Sequence, residues 1–177
     1  QLGYSSSGEV VQTGKGVSDF HTGDRVVSNG NHAEYVVVNQ NLCTRIPDNT
    51  DIKEASFTVL GSIALHGLRL SDTSLGSKVV VIGLGIIGQL VCRLAEAQGS
   101  EVIGIDPDTK RTDMSANFYT SVEEANMANV DSVIITAATS SNEPIEVATK
   151  IARNKAKIVV VGDMPLNISR NDFYYKE

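Results

Sequence analysis

The stretch Val79–Gly88 reads V-V-V-I-G-L-G-I-I-G and constrains the fold more than any other part of this 177-residue chain. Its four consecutive β-branched residues predict a strand that is buried on both faces. The glycines that follow fit the spacing G-x-G-x-x-G, and the apolar run from Ile87 to Gln98 predicts a helix after them. A strand, a glycine-rich turn and a helix in this order indicate a loop that binds phosphate.

Each glycine of this loop has its own predicted role. Gly83 permits the tight turn, Gly85 lets backbone N–H groups approach a pyrophosphate, and Gly88 lets the helix pack closely on the strand. The alternative is a glycine-rich turn without a ligand, but the flanking strand and helix favour a dinucleotide. The loop residues predicted to bind it are Gly83, Leu84, Gly85, Ile86, Ile87 and Gly88.

Asp106 ends the next apolar run of the chain. A carboxylate at this place accepts hydrogen bonds from the adenosine ribose and repels a 2′-phosphate, which favours NAD over NADP. A second interpretation, compatible with the first, makes Asp106 a helix cap with Pro107 at the first helical position. Lys110 and Arg111 either accept a 2′-phosphate or lie on a solvated helix face. We predict Asp106, Pro107 and Arg111 as cofactor residues.

From Lys78 onward, apolar runs alternate with helical patterns, which predicts an α/β fold with a doubly wound parallel sheet. The predicted strands are 78–82, 101–105, 118–120, 131–136 and 157–161, and the predicted helices are 86–98, 108–116, 121–128 and 143–153. Ligands of such sheets lie at the carboxyl ends of the strands. The small residues there either line the cofactor or only form turns. The predicted cofactor residues among them are Ala137, Ala138, Thr139, Val161 and Gly162.

The residues before Lys78 show a different pattern of short β-branched runs between Gly and Asn clusters, which predicts strands and turns. The predicted elements are strands at Gly8–Gln12, Arg25–Val27 and Ala33–Val38 and one helix from Asp51 to about Leu70, with Ala55, Val59, Ile63 and Gly67 along one stripe. We therefore predict three segments: a β segment (1–46), a connecting helix (47–77) and a dinucleotide-binding domain (78–177).

Composition excludes several classes of protein. The net charge of −6 and the lack of a basic cluster argue against a nucleic-acid partner. Cys43 and Cys92 match no metal spacing, look like buried apolar residues, and suggest a reduced, cytoplasmic compartment. No signal peptide and no apolar run near the length of a membrane span is visible, so no membrane partner is expected.

Several stretches together resemble the medium-chain dehydrogenase/reductase superfamily, the alcohol dehydrogenase-like proteins. The stretches that carry the resemblance are Gly8–Val11, Val17–Val27, His32–Val38, Leu42–Asp48, Glu54–Phe57 and the glycine loop. The resemblance implies part of a GroES-like β-barrel before a Rossmann domain. It also implies that the chain is a fragment that lacks about half of the barrel and the last sheet strand, and that the full-length protein forms a homodimer.

Four further stretches are similar to the medium-chain module of bacterial bi-domain oxidoreductases of surface-polysaccharide loci: Leu2–Gly8, Ser28–Glu34, Phe57–His66 and Asp172–Glu177.

The chain departs from the zinc-dependent relatives at the metal ligands. Those relatives carry Gly-His-Glu where this chain has Gly3-Tyr4-Ser5, and a second ligand would fall near Leu60. Zinc needs an imidazole, a thiolate or a carboxylate, so the resemblance implies a member without zinc. The four-Cys structural lobe also has no counterpart here.

The resemblance implies a zinc-independent NAD(P)-dependent oxidoreductase that transfers a hydride between nicotinamide and a small or sugar-like alcohol or carbonyl substrate. A module that holds a dinucleotide for assembly or sensing, without catalysis, is the alternative, and a methyltransferase-like protein is a weaker third. No catalytic residue is predicted. Tyr4 could donate to a substrate or simply pack. His32 and His66 could also donate to a substrate, although exposed surface positions are expected for them and for His21.

Overall fold

The computed structural model describes residues 3–114 and 117–176. The chain forms two compact units, Gln1–Ser62 and Ile63–Glu177. The division falls within helix α2 (Thr58–Leu70), so a single helix contributes residues to both units.

The first unit contains a three-stranded antiparallel sheet with the order β1-β2-β3. Its elements are β1 (Tyr4–Glu9), β2 (Arg25–Asn31), β3 (Cys43–Arg45) and α1 (Ile52–Ala55). Val27, Ile46 and Ala55 form a small buried core, against which Ile52 packs. A core of this size stabilises little on its own, because burial of apolar area supplies most of the favourable free energy of folding.

Two predictions for this unit were wrong. The strand predicted at Gly8–Gln12 instead runs from Tyr4 to Glu9. Residues 33–38, also predicted as a strand, form none. Tyr35 is 72% exposed and Val37 102% exposed. The β propensity of such residues depends on packing against a neighbouring strand, and no described strand pairs with them. Strand β3 was not predicted.

The predicted helix from Asp51 to Leu70 is two helices. The Asp51 carboxylate caps α1 by accepting the N–H groups of Lys53 at 2.7 Å and Glu54 at 3.2 Å. The Ser56 hydroxyl then donates to the Lys53 carbonyl at 2.6 Å, and the Thr58 hydroxyl to the Ala55 carbonyl at 2.7 Å. Local hydrogen bonds from Ser and Thr compete with the helical pattern, which accounts for the break before α2.

The second unit is built on a five-stranded parallel sheet with the order β6-β5-β4-β7-β8. Its strands are β4 (Lys78–Ile82), β5 (Glu101–Ile105), β6 (Phe118–Tyr119), β7 (Val130–Ile135) and β8 (Ala152–Val160). In chain order this is the arrangement 3-2-1-4-5, which confirms the predicted Rossmann-type α/β fold.

Helices cover both faces of this sheet. They are the second half of α2, α3 (Ile86–Ala97), α4 (Thr109–Thr112), α5 (Val122–Ala125), α6 (Glu143–Ile151) and α7 (Arg170–Tyr174). Val79 and Val81 belong to one buried core with residues of α2 and α3, whereas Val80 and Ile82 belong to another with residues of α6. The side chains of a strand alternate between faces, so the apolar run of β4 fills both layers.

The predicted strands 78–82 and 101–105 coincide with β4 and β5, and the other boundaries shift. Strand β8 begins at Ala152, five residues before the predicted start, and thereby ends α6 at Ile151. Helix α5 ends at Ala125 because Asn126 adopts a left-handed conformation with φ of 48°.

Helix α4 covers only Thr109–Thr112 of the predicted 108–116, of which residues 115 and 116 lie outside the described part of the chain. Helix α7 was not predicted. None of the described helices is long and apolar enough to cross a membrane.

Candidate dinucleotide-binding site

The strand order places the switch point of the sheet between β4 and β7, because the chain continues from β4 to β5 and β6 on one side and returns to β7 and β8 on the other. In open α/β sheets, ligands bind outside the carboxyl ends of the strands at this point. Here the loops after β4 and β7 are joined, since the N–H groups of Thr136 and Ala137 both donate to the Ile82 carbonyl, at 2.8 and 3.1 Å.

Gly83 and Gly88 are required by the packing of the loop itself. Gly83 has φ of +97°, and a Cβ there would lie 2.6 Å from the backbone nitrogen of Ala137. A Cβ on Gly88 would lie 1.9 Å from the Gly83 carbonyl oxygen. Both positions therefore exclude any larger residue, in agreement with the roles predicted for these two glycines.

Gly85 is different, because it faces open space. It is the N-cap of α3 with φ of −65°, no side chain caps this helix end, and a Cβ there would meet no described atom within 4 Å. The first N–H groups of a helix have no acceptor within the helix, and the helix dipole makes this end partly positive. Unsatisfied donors, positive charge and an unobstructed approach fit a pyrophosphate.

The Asp106 carboxylate is bound to the glycine loop. Asp106 is 3% exposed. One carboxylate oxygen, Oδ2, accepts the Leu84 N–H at 2.7 Å and an N–H of Arg111 Nη1 at 3.0 Å, while Oδ1 accepts the Asp108 N–H at 2.9 Å. Burial raises the pKa of this carboxyl, but the hydrogen bonds from Leu84, Asp108 and Arg111 outweigh it, so the pKa lies below its ordinary value. Asp106 is therefore an anion at neutral pH.

The helix-cap role considered for Asp106, with Pro107 at the first helical position, was wrong. The residue that caps α4 is Asp108, whose carboxylate accepts the Lys110 N–H at 3.1 Å, and not Asp106. Pro107 is exposed between the two acids. Arg111 does not simply lie on a solvated face, because it also pairs with Asp108, at 3.5 Å from Nε. Lys110 is exposed.

The other predicted residues of the glycine loop divide between the core and the surface. The Leu84 side chain is fully buried, so only its backbone is available to a ligand, and its N–H already donates to Asp106. Ile86 is 57% exposed, and Ile87 packs partly against the core. The backbone of this loop therefore offers more than its side chains do.

The loops after β7 and β8 lie together, as predicted from their places at strand ends. A Cβ on Gly162 would lie 2.0 Å from the Ala137 carbonyl oxygen, so the two loops touch through backbone. The Thr139 N–H donates to the Asp163 carbonyl at 3.0 Å. Two further predicted residues of these loops are partly or fully accessible: Ala138 and Val161.

Sequence reasoning missed two residues that hold the glycine loop. The Thr136 hydroxyl donates to the Gly83 carbonyl at 2.6 Å, and the Gln89 side-chain amide donates to the Leu84 carbonyl at 2.9 Å. Thr136 is the first polar residue after β7, and Gln89 follows the last glycine of the motif directly. Polar residues at these two places are the signal that could have identified them.

The residues that stand where the zinc-dependent relatives carry their metal ligands do not fit a zinc ion. Tyr4 is 44% exposed, and Ser5 is buried with its hydroxyl donating to the Ser56 carbonyl. Neither side chain is a usual zinc ligand, and Leu60 has no donor atom. Among residues 3–114 and 117–176, no three His, Cys, Asp or Glu side chains are grouped so that they could hold a metal.

The remaining candidate side chains lie as follows. The three histidines are exposed, as predicted: His21, His32 and His66. Cys92 is buried, and its burial raises the pKa of the thiol to about 12. Cys43 is only half-buried, which corrects the prediction for it, and both thiols are free. Burial raises the pKa of the Cys43 thiol as well, so neither thiol is poised as a nucleophile at neutral pH.

Two family models match the chain. Residues 60–170 match the model described as D-isomer specific 2-hydroxyacid dehydrogenase, NAD binding domain, and residues 1–48 match the Alcohol dehydrogenase GroES-like domain. The two descriptions point to different dehydrogenases. The Rossmann fold is shared by many unrelated enzymes, so the fold alone does not decide between them.

Curated relatives are also dehydrogenases. D-guloside 3-dehydrogenase of Escherichia coli (strain K12) is 35% identical over 119 residues, which cover 65% of this chain and 34% of the relative. (R,R)-butanediol dehydrogenase of Bacillus subtilis (strain 168) is 24% identical over 178 residues, covering 85% of this chain and 51% of the relative. The matched part of the chain thus spans about a third of one relative and about half of the other.

Solved structures share the fold over nearly the whole chain. Bacillus subtilis 2R,3R-butanediol dehydrogenase superposes with a TM-score of 0.80 at 22% identity, covering 99% of this chain and 62% of its own. Escherichia coli galactitol-1-phosphate dehydrogenase has a TM-score of 0.82 at 23% identity, with 98% and 63% covered. CAD from Helicobacter pylori, solved with NADP(H), has a TM-score of 0.81 at 20% identity, with 98% and 64% covered.

The matched models and structures agree on a GroES-like segment followed by a Rossmann domain, the order that the fold shows. The chain belongs to the family matched by residues 60–170, the D-isomer specific 2-hydroxyacid dehydrogenase, NAD binding domain, and its residues 1–48 are similar to the GroES-like domain of alcohol dehydrogenases.

Proposed function

We propose that the chain is a module of a zinc-independent NAD(P)-dependent oxidoreductase that transfers a hydride between nicotinamide and a small or sugar-like alcohol or carbonyl compound. One observation carries the proposal: the uncapped N-terminus of α3 at Gly85 lies beside the buried, ionised Asp106, whose Oδ2 is 2.7 Å from the Leu84 nitrogen. A positive helix end and a carboxylate at this spacing suit the pyrophosphate and ribose of one dinucleotide. The relatives named for guloside and butanediol support the substrate class.

The chain's own residues would bind and orient the cofactor. The N–H groups of Gly85, Ile86 and Ile87 would donate to the pyrophosphate, and the remaining lone pair on Asp106 Oδ1 would accept a ribose hydroxyl. The small residues after β7 and β8 would leave room for the rest of the cofactor. When bound, the nicotinamide accepts two electrons and one proton as a hydride from the alcohol carbon, and the hydroxyl proton leaves to solvent or to a base.

We expect NAD to be preferred over NADP. The Asp106 carboxylate is ionised and buried, so a 2′-phosphate beside it would face a fixed negative charge. Arg111 opposes this preference, since its guanidinium neutralises Asp106 and is itself 48% exposed, within reach of a phosphate. The preference is therefore expected to be moderate rather than absolute.

The proposal that the protein works without zinc rests on the donor atoms. Tyr4, Ser5 and Leu60 stand where the superfamily's zinc ligands are expected, and they offer a phenol, an engaged hydroxyl and no donor. Metal analysis of the purified protein by plasma mass spectrometry tests this directly. A stoichiometric amount of zinc that survives dialysis against EDTA would contradict the proposal.

The same donor set supports a second candidate, a dinucleotide-holding module without catalysis that serves in assembly or sensing. Without a metal and without an assigned proton donor, the alkoxide formed in hydride transfer lacks a stabilising group. The two candidates differ in one observable. An oxidoreductase changes the nicotinamide absorbance when an alcohol or carbonyl compound is added, whereas a holding module binds the cofactor and leaves its redox state unchanged.

The first experiment is a titration of the chain with NADH and, separately, with NADPH, followed by nicotinamide fluorescence. NADH is expected to bind more tightly, and Asp106→Ala is expected to remove the difference. Asp131→Ala is a matched control. Asp131 also accepts a backbone N–H, from Lys78 at 2.8 Å, and pairs with Arg153 at 2.6 Å. It lies at the amino ends of the strands, away from the proposed site. Failure of the wild-type chain to bind either dinucleotide would contradict the proposed function.

The setting of the protein is part of the same proposal. We expect a cytoplasmic module of the bi-domain oxidoreductases of bacterial surface-polysaccharide loci, which forms a homodimer in the full-length protein and binds neither membranes nor nucleic acid. The free thiols of Cys43 and Cys92 and the net charge of −6 support this setting. Size-exclusion chromatography with light scattering tests the dimer.

A further inference from the structure

We infer that Gln89 is a positioning residue for the dinucleotide: its side-chain amide sets the direction in which the Gly85 N–H points. This inference rests on the proposed function, because it assigns a role within the same site. It goes beyond the glycine motif, since Gln89 lies after the last glycine and its side-chain amide reaches back to the loop.

Both backbone polar groups of Leu84 form hydrogen bonds with side chains. Its N–H donates to Asp106 Oδ2 at 2.7 Å, and its carbonyl accepts from Gln89 Nε2 at 2.9 Å. Its side chain is fully buried, so it cannot turn in place without disrupting the core. Gln89 itself is half-buried in the first turns of α3, and its own N–H donates to the Gly85 carbonyl at 3.0 Å.

Peptide geometry converts this contact into an orientation. The peptide between Leu84 and Gly85 is planar and trans, so its carbonyl and its N–H point in opposite directions. Because Gln89 holds the Leu84 carbonyl toward the helix, the Gly85 N–H must point away from the helix. Gly85 is exposed, and a Cβ on it would meet no described atom within 4 Å, so there is free space beside this residue.

The preceding peptide is fixed in the same way and points elsewhere. The Thr136 hydroxyl holds the Gly83 carbonyl at 2.6 Å, which directs the Leu84 N–H to Asp106. Successive N–H groups of the loop are thus assigned to different partners: Leu84 to the carboxylate, and Gly85 to the incoming phosphate. Preorganised donors bind an anion more tightly, because they pay no reorientation cost when it arrives.

The test is the variant Gln89→Met, which keeps the length of the side chain and removes the donor. We expect NADH and ADP-ribose to bind about five- to tenfold more weakly, the size of a partly lost hydrogen bond to a charged group. Adenosine, which has no phosphate, should bind as it does to the wild-type chain. Gln89→Glu, which has the same shape but only acceptor oxygens at neutral pH, should weaken NADH at least as much.

Gln98→Met is the matched control. Gln98 is at the other end of the same helix and also donates its side-chain amide to a backbone carbonyl, that of Thr73. Both variants should lower the thermal midpoint by similar amounts, whereas only Gln89→Met should weaken NADH. In addition, ADP-ribose should shift the Gly85 amide resonance in the wild-type chain and shift it less in Gln89→Met.

Two results would overturn the inference. One is NADH binding by Gln89→Met within twofold of the wild-type chain. The other is an equal loss for adenosine and ADP-ribose, which would mean that Gln89 only maintains the fold. Both results differ from failure of the proposed function, which would be seen as a wild-type chain that binds no dinucleotide. In that case the role inferred for Gln89 would be excluded as well.

Discussion

The Asp106 carboxylate accepts the Leu84 N–H at 2.7 Å, which ties the end of β5 to the glycine loop after β4. The acid is therefore a structural element of the loop in the absence of any ribose. The same anion serves the loop and the proposed cofactor, and changes at Asp106 should alter stability and binding together.

Asp106→Ala should lower the free energy of unfolding by about 1–3 kcal/mol, because it leaves the buried Leu84 N–H without an acceptor. Urea unfolding followed by circular dichroism measures the change. Asp131→Ala should lower stability less, since the Asp131 side chain is 31% exposed and water can replace it. Equal losses in the two variants would show that the loop does not depend on this hydrogen bond.

The stability of the chain should depend on the charge of Asp106 at acidic pH. The pKa of Asp106 in the folded chain lies below its ordinary value, so the unfolded state binds the proton more readily. The stabilisation is complete above the unfolded pKa of about 4 and is lost as the pH falls toward the folded pKa. Urea unfolding between pH 7 and pH 3 should therefore show the wild-type chain losing its advantage over Asp106→Asn. If the difference in unfolding free energy between the wild-type chain and Asp106→Asn stayed constant over this range, the stabilising role of the ionised Asp106 would be contradicted.

Gly85→Ala and Gly88→Ala should separate binding from folding. A Cβ on Gly85 enters open space at an ordinary φ of −65°, so the folded chain should tolerate it, while the methyl group obstructs the pyrophosphate. We expect a thermal midpoint near that of the wild-type chain and NADH binding weakened by at least about tenfold, or about 1.4 kcal/mol.

Gly88→Ala should instead destabilise the chain, because its Cβ would lie 1.9 Å from the Gly83 carbonyl oxygen. Overpacking of this kind costs about 1–3 kcal/mol or more. Differential scanning calorimetry of the two variants decides the point. If Gly85→Ala were the less stable of the pair, the geometry of the loop described here would be incorrect.

Arg111→Gln should change the discrimination between the two cofactors. Without the guanidinium, Asp106 faces a 2′-phosphate uncompensated, so NADPH binding should weaken about three- to tenfold more than NADH binding. Fluorescence titrations with both cofactors measure the ratio. Lys110→Gln serves as a control, because Lys110 is its exposed neighbour. An unchanged ratio in Arg111→Gln would exclude Arg111 from the 2′-phosphate position.

Lys176→Met should lower stability without touching the proposed site. The Lys176 ammonium donates to the Ala152 carbonyl at 2.7 Å and the Lys150 carbonyl at 3.2 Å, and also to that of Thr149, at the end of α6. Loss of this cap should cost about 1 kcal/mol, because the last carbonyls of a helix have no partner within it. Lys150→Met, which changes an exposed side chain of the same helix, should lower the free energy of unfolding less, as measured by chemical denaturation. The reverse order would show that the cap is unimportant.

The sequence by itself determined the parts of the fold that depend on neighbours in the chain. The apolar run Val79–Ile82 and its glycines predict a buried strand and a turn, and Asp106 is recognisable because it ends the next apolar run. Periodicity and turn residues are local signals, so the strands β4 and β5, the helix α3 and the parallel sheet could be predicted from them.

Only the tertiary structure decided the contacts between distant segments. Residues 33–38 have a strand-forming composition but form no strand, because β structure needs a partner. The bonds from Leu84 to Asp106 and from Thr136 to Gly83 join residues 22 and 53 positions apart. Gln89 is only five positions from Leu84, but its side chain reaches the Leu84 carbonyl because the chain turns at Gly85, where α3 begins. Local patterns specify each element, whereas the partner of each polar group depends on how the elements pack.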